Sequence, residues 1–70
     1  MDISEIREMS IEDIELEIED TREELMRLRF QQTTGELTDH NQMRTTRRKI
    51  ARLLTVLNER KRAEEKEGEA

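Results

Sequence analysis

The sequence contains no cysteine, one histidine, two glycines and a single aromatic residue, Phe30. Without cysteine there is no disulfide framework, and one histidine alone makes no structural zinc site. The glycines, Gly35 and Gly68, form no phosphate-cradling loop. One aromatic side chain gives no platform on which the bases of a single strand stack. These absences exclude disulfide-stabilised and zinc-binding proteins and argue against a nucleotide-binding loop or a reader of single-stranded nucleic acid.

Long apolar segments are also missing. No apolar run approaches the ~20 residues of a membrane span, and the N-terminus lacks a signal-peptide pattern, so we expect the protein to work inside the cell. For a chain of 70 residues, burial at ~25 cal/mol per Å² roughly balances an entropy loss of ~1.5 kcal/mol per residue. We therefore expect one small domain over residues 1–62 that depends on helix packing, self-association or a partner.

Charged residues make up 44% of the chain, and they are segregated along it. Residues 1–24 hold eleven acids and two arginines, a net charge of −9, whereas residues 25–62 hold three acids and ten bases, a net charge of +7. The overall charge of −5 hides this asymmetry. A basic segment of this kind indicates a polyanionic partner even in an acidic protein.

Capping residues and apolar spacing predict two helical segments in the acidic half. Asp2 begins a short helical turn over residues 3–8, and Ser10 caps a long helix. Glu12 and Asp13, in the first turn of that helix, suit the positive end of its dipole. Seam residues spaced alternately three and four apart form a coiled-coil-like stripe. This seam consists of Ile11, Ile14, Ile18, Thr21, Leu25, Leu28 and Gln32.

A second long helix is predicted after a short loop. Gly35 suits the left-handed conformation that ends a helix, and Asp39 begins a capping box, so the next helix starts near His40 and ends near Arg62. The short loop makes the two long helices antiparallel neighbours, which predicts an all-α helical hairpin. Residues 63–70 are expected to form a disordered or frayed acidic tail. The apolar stripe that faces the first seam consists of Met43, Thr46, Ile50, Leu53, Leu54 and Leu57.

A row of arginines lies opposite this apolar stripe. Arg44, Arg48 and Arg52 are four residues apart, Arg47 and Lys49 flank them, and at about 100° per residue they face away from the core. Because the guanidinium fork suits phosphate oxygens, the row predicts contact with the backbone of a structured RNA or a duplex. The alternative is a solvated face that pairs with the acids of residues 12–24.

Other residues complete the candidate surfaces. Leu16, Met26 and Phe30 lie off the seam and are candidates for contact with a partner protein; the alternative is that they widen the packed face. His40 has no companions for catalysis or metal binding, so we expect neither, and no cofactor. A polar set near the loop is expected to add sugar and phosphate contacts; it consists of Arg29, Gln31, Gln32, Thr33 and Thr34.

Two segments resemble a known family. Residues 28–37 read Leu-Arg-Phe-Gln-Gln-Thr-Thr-Gly-Glu-Leu, and residues 43–53 read Met-Arg-Thr-Thr-Arg-Arg-Lys-Ile-Ala-Arg-Leu. In this order they closely resemble the bacterial large-subunit ribosomal protein family twenty-nine, and the likeness covers residues 3–60. The resemblance implies a three-helix fold with an antiparallel long pair and a structural role in the large subunit of the cytoplasmic ribosome. It also implies contact with the large ribosomal RNA.

The same resemblance implies a location and individual roles. The expected place is the rim of the nascent-chain exit tunnel, beside large-subunit protein twenty-three and near the docking site of the ribosome-associated chaperone. Gly35 matches the apex glycine of the family. Asp39 and His40 stand where the family often has Asn-Pro, and Lys49 stands where an acidic or small residue is common. The basic positions that face RNA in the family are matched by Arg44, Arg47, Arg48 and Arg52.

Two other functions fit parts of the sequence. A non-ribosomal coiled-coil adaptor or homodimer would use the basic row to bind an acidic protein. Residues 3–30 are also faintly similar to the first helix of the all-helical chorismate mutases. The chain lacks the further helices that such an active site requires, so we expect no enzymatic activity.

Overall fold

The computed structural model describes residues 1–68, and the side chains of residues 1–65. The described chain forms three α-helices, α1 (Ile3–Arg7), α2 (Ile11–Thr34) and α3 (Asn41–Gly68), and contains no strand. The two long helices pack against each other as a hairpin, and α1 also packs against α3. The predicted all-α hairpin is thus confirmed, with α3 as its central element.

Both ends of α2 follow the local signals. The Ser10 hydroxyl accepts a hydrogen bond from the backbone N–H of Asp13 at 3.1 Å. At the other end Gly35 adopts a left-handed conformation with φ 80° and ψ 8°. The backbone N–H groups of Glu36 and Leu37 then donate to the Gln31 carbonyl at 2.8 and 3.1 Å. These bonds satisfy a carbonyl that the last turn of a helix would otherwise leave unpaired.

The other two helix starts use aspartates in different ways. The Asp2 carboxylate accepts a hydrogen bond from the Ser4 hydroxyl at 2.9 Å rather than from a backbone N–H of α1. This bond is the main reason that the pKa of Asp2 is lowered. Asp39 does bind backbone: its Oδ1 accepts from the Asn41 N–H at 3.0 Å. The predicted start of α3 near His40 is confirmed.

The core lies along the α2–α3 contact and continues under α1. The seam residues Ile14, Ile18, Thr21 and Leu28 are buried, and the Thr21 hydroxyl donates to the Glu17 carbonyl at 2.6 Å. The predicted end of the seam at Gln32 is wrong, because that side chain is exposed where the helices reach the loop. The buried residues of α3 are Met43, Thr46, Leu53, Val56 and Leu57.

Two core residues, Ile6 and Val56, were absent from the predicted seams. Both are almost fully buried, at 0% and 1% exposure, because α1 packs on α3. The predicted seams considered only the contact between the two long helices and left out the packing of α1. The three-residue spacing of the apolar residues at positions 3 and 6 already indicated an apolar face on α1. The Arg60 guanidinium donates to the Arg7 carbonyl and so satisfies the C-terminal end of α1.

The C-terminal end of α3 differs from the prediction. The helix runs to Gly68, so the predicted end near Arg62 is wrong. Ala63, Glu64 and Glu65 are good helix formers, and an exposed helical segment needs no apolar contact to continue. Within the predicted tail of residues 63–70 the backbone is therefore helical as far as residue 68, and residues 69–70 lie outside the described part.

The molecule is a slender rod of 54 × 18 × 14 Å. Its radius of gyration is 14.9 Å, compared with about 11 Å for a compact domain of this length. Its accessible surface is 5529 Å², whereas a compact monomer of this mass exposes about 4,600 Å². None of its helices, over the described residues, has the length and apolarity for a bilayer crossing. The shape leaves most side chains available to other molecules.

Candidate nucleic-acid interface

The arginine row is exposed along α3 because the apolar stripe of the same helix is turned inward. Leu53 and Leu57 are 0% and 8% exposed, which fixes the rotation of the helix about its axis. Successive residues of a helix are rotated by about 100° about its axis, so the side chains on the side opposite Leu53 and Leu57 reach solvent. The exposed arginines of this face are Arg44, Arg47, Arg48 and Arg52.

Three of these arginines line a shallow groove at the loop end of the hairpin, here called the apex groove. Antiparallel packing brings the last turn of α2 beside the first turns of α3, so that Gln32 joins side chains distant in sequence. The lining contains no carboxylate. It consists of Gln32, His40, Met43, Arg44, Arg47 and Arg48.

The apex groove keeps its positive charge uncompensated within the described residues. No carboxylate there lies within 4 Å of the guanidinium groups of Arg44, Arg47 or Arg48. Arg52 lies one turn further along α3, outside the groove, and its charge makes a small contribution to the lowered pKa of Asp2. The groove is therefore a concentrated cationic surface of arginines.

Lys49 is separated from the arginines by the tertiary structure. Its Nζ lies 2.7 Å from Oε1 of Glu17 on α2, and both side chains are less than a third exposed. Lys61 makes a longer contact of 3.9 Å with Glu15. These two lysines thus pair with acids of α2, as the alternative to an RNA contact predicts. Among the described residues, the arginines of the apex groove make no such pair.

The polar residues of the predicted RNA site near the loop have different local roles. Gln31 is half-buried, and its carbonyl accepts the bonds that end α2. The Thr34 hydroxyl donates to the same carbonyl at 3.2 Å, and the Thr33 hydroxyl donates to the Arg29 carbonyl at 3.0 Å. Gly35 supplies the left-handed turn. Of this set only Gln32 lines the groove, and RNA contact by the others stays a prediction.

The three candidate residues for a partner protein are all on the surface. Leu16, Met26 and Phe30 are 60%, 71% and 68% exposed, so the alternative that they widen the packed face is wrong. Met26 and Phe30 are four residues apart and are neighbours on one face of α2. Leu16 is about 15 Å further along the helix axis, at 1.5 Å per residue.

These features define a class of protein: a small, elongated helical hairpin with an acidic helix, a basic helix and a cationic groove at its apex. The described residues include no cluster of side chains that would hold a metal ion.

Comparison with known proteins identifies the family within this class. The family described as ribosomal L29 protein matches residues 4–60. Large ribosomal subunit protein uL29 of Rubrobacter xylanophilus is 51% identical over 57 residues, which cover 81% of this chain and 85% of the relative. The protein of the same name from Fusobacterium nucleatum is 47% identical over 60 residues, 86% of this chain and 100% of the relative. That from Corynebacterium diphtheriae is 45% identical over 56 residues, 80% of this chain and 74% of the relative.

The chain belongs to the ribosomal L29 protein family. It is a structural protein of the ribosome and not an enzyme. The family predicted from residues 28–37 and 43–53 is thus confirmed.

Proposed function

We propose that this protein is a constituent of the large ribosomal subunit that binds large-subunit ribosomal RNA through the basic face of α3. Its relatives are named as proteins of the large ribosomal subunit, which supports the assignment to that subunit. The observation that carries the RNA contact is the apex groove, in which Arg44, Arg47 and Arg48 converge without a carboxylate among the lining residues. Arginine at this density matches the phosphate backbone of a folded RNA.

The charge distribution supports an orientation of the hairpin on RNA. One surface depression on α2 is lined by three acids and one base, Asp20, Glu23, Glu24 and Arg27, and its net negative charge would repel phosphates. The hairpin would therefore face the RNA with α3 and the apex groove, and the acidic surface of α2 would point away from it. Three arginine–phosphate contacts correspond to a slope of about −2.7 in log affinity against log salt, at about −0.9 per contact on a duplex.

A protein neighbour is the second part of the proposal. Leu16, Met26 and Phe30 offer apolar side chains that α3 does not cover. We expect them to contact an adjacent ribosomal protein, and the resemblance suggests protein twenty-three and the ribosome-associated chaperone at the exit-tunnel rim. The accessible surface of the rod is larger than that of a compact monomer of the same mass, which supports this proposal. Partners that bind the folded form and cover this surface would stabilise it. The rival adaptor function finds no support in the family relationship.

The test is the sedimentation of tagged protein with large ribosomal subunits at low and high salt. Arg48→Glu reverses one charge in the apex groove and should reduce co-sedimentation at least tenfold, since it loses one phosphate contact and adds a repulsive charge. Its circular dichroism should be unchanged, because the residue is exposed.

The matched control is Arg22→Glu, the same charge reversal at an exposed position of α2 away from the apex groove. It should co-sediment like the wild type. Equal loss in both variants would show a general dependence on net charge, and no loss in Arg48→Glu would reject the apex groove as the RNA contact.

A further inference from the structure

Lys49 lies on the inward face of α3, although its neighbours in sequence are arginines of the basic face. It follows the buried Thr46 by three residues and precedes the buried Leu53 by four, a spacing that places all three on one side of the helix. The Lys49 side chain is 29% exposed, and a charge at such a position requires a partner. Glu17 supplies it, because the 2.7 Å contact of their charged groups is the shortest ion pair of the described residues.

The main apolar cluster of the core ends before the apex groove. Its members on α3 lie between Leu53 and Leu57, and Met43, which is buried nearer to the apex, is outside it. On the groove side of Leu53, the Lys49–Glu17 contact is the one ion pair or side-chain hydrogen bond of the described residues that joins α3 to α2. The pair therefore lies between the core cluster and the groove along α3.

The rotation of α3 about its axis depends on this pair. A partly buried ammonium that lost its carboxylate would gain free energy by turning toward water. Because Lys49 and Arg48 are consecutive residues of one helix, such a turn would move the arginines of the groove as well. A rotation of about 20° displaces a group about 6 Å from the helix axis by about 2 Å. That displacement breaks a hydrogen bond to a phosphate held in place by the rest of an RNA.

We propose that Glu17 and Lys49 are positioning residues for RNA binding. They hold α3 at the rotation at which the arginines of the apex groove reach phosphates, and neither side chain contacts the RNA. This inference rests on the proposed RNA-binding function. It replaces the predicted role of Lys49 as an RNA ligand, because the ammonium is already paired with a carboxylate. It also makes an acid of α2 necessary for binding a polyanion, which long-range electrostatics does not predict.

The test measures the affinity of the full-length protein for a labelled RNA duplex over a series of salt concentrations. Glu17→Gln removes a negative charge, so long-range electrostatics predicts equal or tighter binding, whereas the loss of positioning predicts weaker binding. We expect the affinity to fall about threefold, as for the loss of one partly exposed ion pair. The slope of log affinity against log salt should become shallower by up to about 0.9, the value for one phosphate contact.

The matched control is Glu15→Gln, the same substitution two residues away on α2. The Glu15 side chain is 52% exposed, and its contact with Lys61 is 3.9 Å long. This variant removes the same charge without releasing Lys49, so it should bind the duplex as the wild type does or slightly more tightly. Circular dichroism should show wild-type helix content in both variants, since exposed and partly exposed ion pairs add little to stability.

A charge swap separates positioning from direct contact of Lys49 with RNA. The double variant Glu17→Lys, Lys49→Glu keeps the net charge of the protein and forms the same ion pair with reversed polarity. It should recover most of the affinity that Lys49→Glu alone loses. If the double variant binds as weakly as Lys49→Glu, Lys49 contacts the RNA itself and the positioning role is rejected. The swap also decides the question if Glu17→Gln loses helix content, because it retains the pair.

The outcomes distinguish this inference from the proposed function. If the wild type binds the duplex and Arg48→Glu binds it weakly, but Glu17→Gln binds as tightly as Glu15→Gln, the positioning role is rejected and RNA binding stands. If the wild type does not bind the duplex, the proposed RNA-binding function is rejected, and the positioning role with it.

Discussion

α2 ends at Gly35. Among the described residues, Gly35 is the one whose backbone φ angle is positive, at 80°. An added Cβ would meet no heavy atom within 4 Å, so the requirement for glycine here is one of backbone conformation alone. The left-handed turn sends the chain back toward α3 and places Gln32 beside the arginines of that helix. The turn at Gly35 thus helps to position the apex groove.

Gly35→Ala should lower the free energy of unfolding by about 1 kcal/mol, because a Cβ disfavours the left-handed region. For a domain of this size the melting temperature would fall by roughly 4–8 °C, measured by circular dichroism. Gly35→Asn is the comparison, since asparagine tolerates this conformation better and should lose less. An unchanged melting temperature in Gly35→Ala would show that α2 can end in another way.

Lys49 shows a different relation between residue and structure. By sequence it flanks the arginine row, yet its ammonium pairs with Glu17 at 2.7 Å. A partly exposed ion pair of this kind contributes about 0–1 kcal/mol, so it selects the register of the two helices more than it stabilises them. Its role as an RNA ligand stays a prediction that this pairing disfavours.

At the scale of elements, α3 is the helix on which the other two pack. Its inward face contacts α2 near the apex and both α1 and α2 toward the other end, where Ile6, Val56 and Leu53 meet in one cluster. Its outward face carries the arginines. The core and the candidate RNA surface are therefore two sides of one helix, and each can be changed separately.

Leu53→Asp should unfold the free protein. Leu53 is 0% exposed; losing its side chain costs about 2–5 kcal/mol before the burial of an unpaired charge is added. A core of this size supplies about 3–5 kcal/mol in total. The readouts are helical circular dichroism and the melting temperature.

The control for this variant is Ala51→Asp, the same new charge at an exposed position two residues away. It should cost less than about 1 kcal/mol. A folded Leu53→Asp protein with a wild-type melting temperature would contradict the assignment of the core.

At the scale of the whole molecule, the rod separates its surfaces by chemistry. The cationic groove lies at the apex, the acids lie along α2, and the exposed pair Met26 and Phe30 lies on α2 near the same end. The proposed RNA contact and the proposed protein contact would thus be close enough to act together in one assembly, although they would depend on different forces.

The double variant Met26→Ser, Phe30→Ser should retain the stability of the free protein to within about 0.5 kcal/mol, because both side chains are exposed. It should bind large ribosomal subunits less tightly, and the loss should persist at high salt, since apolar contacts are not screened. Sedimentation at two salt concentrations measures this, with Glu23→Ser, a neighbour on α2, as the control. Wild-type association of the double variant would exclude the pair from the interface.

Local rules determined much of this protein from sequence. Helix type, the cap at Ser10, the turn at Gly35 and most of both seams follow from spacing and short motifs, because helix periodicity and capping act within a few residues. The family was indicated separately, by the resemblance of residues 28–37 and 43–53. The tertiary structure decided what depends on neighbours distant in the chain. Packing of α1 buried Ile6 and Val56, helix register paired Lys49 with Glu17, and the antiparallel crossing brought Gln32 into one groove with the arginines. These contacts depend on the rotation and register of packed helices, which periodicity within one helix leaves open.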